Sequence, residues 1–140
     1  MTVPLWILLL FALWTLIVLS ATVGVYRWGR ILRGRSGIGE FRYDKVEGHP
    51  DWYRRGMRAH GNCIENLPVY GAIVLILFAL GLDSPWLDRL AVVLMAARVV
   101  QTLVHVSFVE TNFTVSWRFS FYCVQLLAML VMIGIIIGSV

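Results

Sequence analysis

Ionisable and amide side chains recur at helical spacing inside three otherwise apolar stretches of this chain. Arg58, Asn62 and Glu65 stand at i, i+4 and i+7, which places them on one helix face. Arg98, Gln101 and His105 stand at i, i+3 and i+7, and Arg118 is followed one and two turns later by Tyr122 and Gln125. Such faces can hold a small charged ligand. A guanidinium takes a carboxylate bidentately, an amide donates and accepts, and a carboxylate takes an ammonium. His60 projects from a different face of its helix, towards another helix or subunit. An Arg or an acid at the centre of a membrane helix costs roughly 2.5–3.5 kcal/mol to insert, so these groups face inward and need partners. Arg98 and Glu65 have opposite signs and are expected to pair between helices. A purely architectural reading stands beside this one, with Arg98–Glu65 a packing ion pair and Arg118 a snorkelling headgroup anchor. Three polar faces near the same end of one bundle favour a site.

The elements that carry these faces are membrane spans. The chain has 140 residues, 59% hydrophobic and 14% charged. Soluble domains are nearer a quarter charged. The expected architecture is all-α: one domain over 1–140, an integral membrane left-handed four-helix bundle assembling as a homotrimer. The spans are expected at about 3–26, 52–82, 85–109 and 115–139, with a basic loop at about 27–50. Val3 to Tyr26 is free of charge and long enough to cross about 30 Å of hydrocarbon. Pro50 suits a first helical position, with Asp51 at the positive end of the helix dipole. Pro68 is a candidate kink in the second span. Ser84-Pro85 is a start signal for the third, and Asn112 and Thr114 are candidate caps for the fourth.

Nine of the 12 Lys and Arg residues lie between Arg27 and Arg58. The positive-inside rule then puts the 27–58 region in the cytoplasm and both termini on the opposite side. Basic charge in this setting points to anionic headgroups, and no module for reading nucleic acid is visible. His49, His60 and His105 lack zinc spacing, so no metal site is expected. Phosphate-binding glycine loops and nucleophile elbows are absent. Cys63 and Cys123 read as small buried thiols.

The stretch from Arg58 to Pro68, RAHGNCIENLP, resembles the second-helix signature of the membrane-associated proteins in eicosanoid and glutathione metabolism, the MAPEG family. The pattern is Arg, Ala, a polar residue, any residue, Asn, two more, Glu, two more, Pro, and every element is present. The resemblance implies a homotrimer that binds glutathione between subunits near the cytoplasmic face. It implies that Arg58, Asn62 and Glu65 hold the tripeptide, that His60 contributes across the subunit boundary, and that Arg27 or Arg30 reaches in from a neighbour. Arg98 matches the family's third-helix Arg, and Arg118 looks like the fourth-helix Arg that stabilises the thiolate. Gln101, His105 and Tyr122 line the same region. The chemistry is reasonable: a thiol with pKa near 8.5 is about 3% thiolate at pH 7, and lowering that pKa by two units takes about 2.7 kcal/mol of preference for the anion. The thiolate then attacks a hydrophobic small-molecule electrophile delivered from the lipid bilayer.

Departures accompany the match. Asn66 stands where leukotriene-forming members carry Tyr, Gln101 and His105 stand at other tyrosine positions, and the segment before Arg118 lacks a proline-rich pattern. The implied function is a glutathione transferase or peroxidase. The alternative is a non-catalytic lipid- or partner-binding member. A transporter reading has little support, because four spans without a pair of broken helices at the midplane offer no transport site.

Overall fold

The computed structural model of the chain describes residues 1–41 and 48–139. Four helices account for most of them: α1 (Val3–Leu32), α2 (Asp51–Ala79), α3 (Pro85–Ser107) and α4 (Asn112–Ser139). Each is long and apolar enough to cross a membrane. No strand occurs among the described residues, and a short 3₁₀ turn, Ile38–Phe41, follows α1. Part of the expected basic loop, 42–47, lies outside the described residues.

The helix ends follow local chemistry more closely than they follow the first charge. α1 runs on to Leu32 rather than stopping at Tyr26, and it carries Arg27 and Arg30 on helical turns. It stops at Gly34, whose φ of 63° only glycine adopts cheaply. There Gly34 N donates to Ile31 O at 3.0 Å and Arg35 N to Arg30 O at 3.0 Å, a Schellman pair that closes the last carbonyls. Gly81, with φ 65°, ends α2 in the same way, so that helix stops at Ala79 rather than at residue 82. Pro50 is the cap of α2 and not its first helical residue, and the helix continues through Pro68. Ser84 caps α3 by accepting from Trp86 N at 3.3 Å. α4 is capped reciprocally by Thr111 and Thr114, each backbone N–H donating to the other's hydroxyl, at 2.9 and 3.2 Å.

α1 packs against α2 and α3, while α4 packs mainly against α3 and less against α2. Between lipid-facing helices there is no hydrophobic drive to associate, so close packing and interhelical hydrogen bonds must hold the bundle. Small residues therefore sit where the helices touch: Gly56, Ala59 and Cys63 on α2, Ala91 and Ala97 on α3, Ala128 on α4. The closest approach is at Gly56. A Cβ there would lie 2.6 Å from Thr22 Cβ. Thr22 belongs to a π-helical turn, Leu19–Gly24, inside α1. Below this point Tyr26 is surrounded by the rings of Phe41, His49, Trp52 and Tyr53, which fastens the end of α1 to the start of α2. Many large apolar side chains, including Leu9, Leu13, Phe78 and Leu127, face outward from the bundle, as a hydrocarbon surrounding requires.

Candidate functional site

Arg58, Asn62 and Glu65 project from one face of α2 into a cavity of about 380 Å³. Arg54, Met57 and Gly61 from the same helix and His105 from α3 complete its lining. Arg54 lies one turn before Arg58 on that face. The spacing that singled out the other three extends to it, so the sequence held a signal for this residue.

His105 is buried and joins three helices. Its Nδ1 lies 2.9 Å from Arg118 Nη1 on α4, and its Nε2 lies 3.0 Å from the side-chain amide of Asn62 on α2. A guanidinium can only donate. Nδ1 is therefore the acceptor and the ring proton sits on Nε2. Asn62 Nδ2 stands opposite Nε2, so a protonated Nε2 calls for the amide turned over, with its oxygen accepting and its NH2 facing the cavity. Amide and ring orientation are assigned here from the donor inventory. Arg118 is thus fixed behind His105 rather than lining the cavity, and only 10% of its side chain is exposed.

Glu110, in the four-residue connection between α3 and α4, closes the network. Its Oε1 accepts from Arg58 Nη1 and, at 3.3 Å, from Arg118 Nη1. The hydrogen bond from Arg58 is the main cause holding the Glu110 carboxyl below its ordinary range, reinforced by the charges of Arg58 and Arg118 against a rise from burial. Sequence reasoning missed Glu110. It is the only acid after Asp88, and that isolation was the available signal.

A second polar chain lies deeper. Asn66 Nδ2 donates to Gln125 Oε1 at 3.4 Å, Gln125 Nε2 to Gln101 Oε1 at 3.0 Å, and Gln101 Nε2 to the Arg118 carbonyl at 3.0 Å. It links α2, α3 and α4 through residues that are almost fully buried. Gln101 therefore shares its helix face with His105 but sits in this frame, outside the cavity lining.

Arg98 behaves differently from the expectation. No Arg98–Glu65 ion pair is present among the described residues. Arg98 is 1% exposed and its guanidinium carbon lies 5.4 Å from the centroid of the Phe11 ring on α1. Its Nε and Nη2 have no hydrogen-bond partner. The face of α3 that read as one polar stripe is shared among three neighbours: Arg98 meets α1, Gln101 meets α4, and His105 meets α2 and α4. Glu65 is exposed and lines the cavity. His60 turns towards the backbone of Thr15 on α1. Tyr122 is partly buried on α4 outside the cavity lining.

Of the α1 residues, Arg27 donates from Nε to Tyr53 Oη at 2.9 Å and from Nη2 to Met57 Sδ at 3.6 Å. It is one side chain removed from the cavity, through Met57. Arg30 is held by Ser36, Tyr26 and the Arg35 carbonyl and does not line the cavity. The structure thus brings Arg58, Asn62, Glu65 and His105 together around one space with Arg118 behind it, and leaves Arg30, His60 and Arg98 elsewhere.

Comparison with curated proteins and with solved structures gives no match. The model of the MAPEG family matches residues 3–138, nearly the whole chain. With four helices long and apolar enough to cross a membrane and that match, the chain is a multi-pass integral membrane protein belonging to the MAPEG family.

Proposed function

We propose that this protein is a membrane-bound glutathione transferase or peroxidase, active as a homotrimer, that holds the tripeptide in the α2–α3 cavity and attacks hydrophobic electrophiles through its thiolate. The observation that carries the reading is the convergence of Arg54, Arg58, Asn62 and Glu65 on one cavity with His105. Glutathione bears two carboxylates, an ammonium, two amides and a thiol. The cavity offers the guanidinium groups of Arg54 and Arg58, which also pair with Asp51 and Glu110, the Glu65 carboxylate, which has no ion pair among the described residues, and the NH2 of Asn62. Those types match the two carboxylates and the ammonium, with one donor left for an amide carbonyl.

The thiolate needs a cation in a place with little water. Arg118 is the cation on α4 with only 10% of its side chain exposed, so water screens it weakly, while Glu110 at 3.3 Å offsets part of its charge. His105 relays its position to the cavity wall, being polarised by Arg118 on one nitrogen and presenting N–H on the other. The apolar flanks of the helices give an electrophile dissolved in the bilayer a route to the site. The arginine-rich end of α1 and α2 is assigned to the cytoplasmic side, where glutathione is supplied.

The test is a glutathione titration of the thermal stability of the detergent-solubilised protein, repeated with Arg118→Ala. Glutathione should raise the unfolding temperature, and Arg118→Ala should abolish conjugation to a chlorinated aromatic substrate. A protein that glutathione neither stabilises nor engages in conjugation would rule the reading out. The chain Asn66–Gln125–Gln101 supports a second reading, in which the polar residues only hold helices together in a non-catalytic binding member. Under that reading Arg58→Ala and Glu65→Ala lower stability without any ligand-dependent effect.

A further inference from the structure

Glu110 does not match any part of the second-helix signature, yet it holds two arginines on different helices with one oxygen atom. We propose that Glu110 competes with the ligand's own carboxylate for Arg58, so that ligands carrying a carboxylate able to replace it bind best. This rests on the reading of the cavity as a thiol-tripeptide site.

Four observations carry it. First, the two halves of the bridge are unequal. Arg118 is nearly buried and fixed by His105, whereas the side chains of Arg58 and Glu110 are 51% and 43% exposed. An exposed pair of that kind is weak and exchanges readily for a better-placed anion. Second, among the described residues only Oε1 of Glu110 is engaged, shared between both guanidinium groups. An incoming carboxylate can present both of its oxygens to Arg58, which is the stronger arrangement. Third, Arg54 and Arg58 line both the main cavity and a neighbouring cleft of about 140 Å³, and Glu110 lines the cleft alone. Glu110 therefore draws Arg58 from outside the cavity, and its release returns that charge to the cavity. Fourth, the backbone that carries Glu110 is fixed. Thr114 Oγ1 shares its one proton between Val109 O at 3.1 Å and Thr111 O at 3.0 Å, and accepts from Thr111 N at 2.9 Å. Exchange then needs only a new rotamer of one side chain, with no opening of the connection.

Glu65 makes the selectivity two-sided. It lines the same cavity with no ion pair among the described residues and takes a ligand's ammonium. A ligand with an ammonium alone gains Glu65 but leaves the Glu110 bridge in place. A ligand with both groups gains both.

The experiment measures binding of glutathione and of its diethyl ester to the full-length wild type and to Glu110→Gln, in detergent at fixed ionic strength. Glu110→Gln should bind glutathione about three- to tenfold tighter than wild type, the size of an exposed ion pair no longer competing. The diester, which has no carboxylate, should show no such gain. Glu110→Asp, shorter by one methylene and unable to span both arginines, should fall between and provides the comparison in a variant that keeps the charge. Equal or weaker glutathione binding by Glu110→Gln, with wild-type binding intact, would show that Glu110 organises the arginines and does not compete; the ligand reading would survive and this inference would not. An equal gain for acid and diester also overturns it. Absence of glutathione binding in every protein overturns both.

Discussion

Replacing Gln125 by Leu asks whether the buried amide chain is the frame on which the site stands. Gln125 is 0% exposed. Its Nε2 donates to Gln101 Oε1 at 3.0 Å and to the Phe121 carbonyl at 2.8 Å, and its Oε1 accepts from Asn66 at 3.4 Å. Leu fills nearly the same space and removes all three contacts. The Phe121 carbonyl lies inside α4, but Gln101 Oε1 and Asn66 Nδ2 lose the partner that Gln125 supplies. A buried polar group left unpaired costs about 1–3 kcal/mol in soluble proteins. Interhelical hydrogen bonds in membranes average only about 0.6 kcal/mol, because the unfolded chain also finds partners. Two such groups, one of them held by a long contact, bracket the loss at about 1–3 kcal/mol. The assay is unfolding in mixed micelles with increasing SDS, followed by helical circular dichroism. Adding Gln101→Leu to Gln125→Leu removes one orphan, so the double variant should lose less than the sum of the singles. Gln125 does not line the cavity, so glutathione affinity should stay within about twofold of wild type for any variant that remains folded. A Gln125→Leu protein as stable as wild type, or strictly additive losses, would refute the argument.

Gly56→Ala should destabilise the protein by about 1–3 kcal/mol, since the new methyl would stand 2.6 Å from Thr22 Cβ; the same unfolding curve reads it, and pairing it with Thr22→Ser, which removes a methyl at the contact, should recover part of the loss. Glu110 has a folded-state pKa below its ordinary 4.5, so its contribution to stability is present above that value and is lost as pH falls through the lowered one. The difference in unfolding midpoint between wild type and Glu110→Gln should therefore be constant from pH 7 to about pH 5 and shrink below about pH 4.5. Arg118→Lys keeps the charge but not the planar fork that meets His105 and Glu110, so it should retain more conjugation activity than Arg118→Ala yet stay well below wild type, measured with a chlorinated aromatic substrate.

Periodicity made the α2 face legible: Arg58, Asn62 and Glu65 share a cavity because a helix puts i, i+4 and i+7 on one side. It could not apportion the buried face of α3, where Arg98, Gln101 and His105 meet three different neighbours. Which neighbour each one meets depends on how the helices cross, and spacing within one helix does not contain that. Opposite charge suggested Arg98–Glu65, but side-chain direction sends Arg98 towards Phe11 instead. Glu110 was hidden because a lone acid in a short connection looks like a solvated surface charge until α2 is packed against it. The uncharged stretch ends at Tyr26, but the helix that carries it does not. The capping glycine at 34 sets the helix end, and the basic residues between them ride on helical turns.

The π turn in α1 works as an index. Each residue of an α-helix advances the chain by about 100°, so one residue gained or lost in Leu19–Gly24 rotates everything after it by that amount. The contacts of Arg27 with Tyr53 and Met57 are therefore set by counting along the helix as well as by residue type. Deleting the outward-facing Ala21 should relax the turn to α and swing Arg27 off α2 while every side chain of the site remains present. Reinserting a different residue at that position should restore it. Crosslinking between cysteines placed at 27 and 57 would report both changes, and unchanged crosslinking in the deletion would contradict them. At this point of the fold the number of residues, more than their identity, is what the polar end of the bundle depends on.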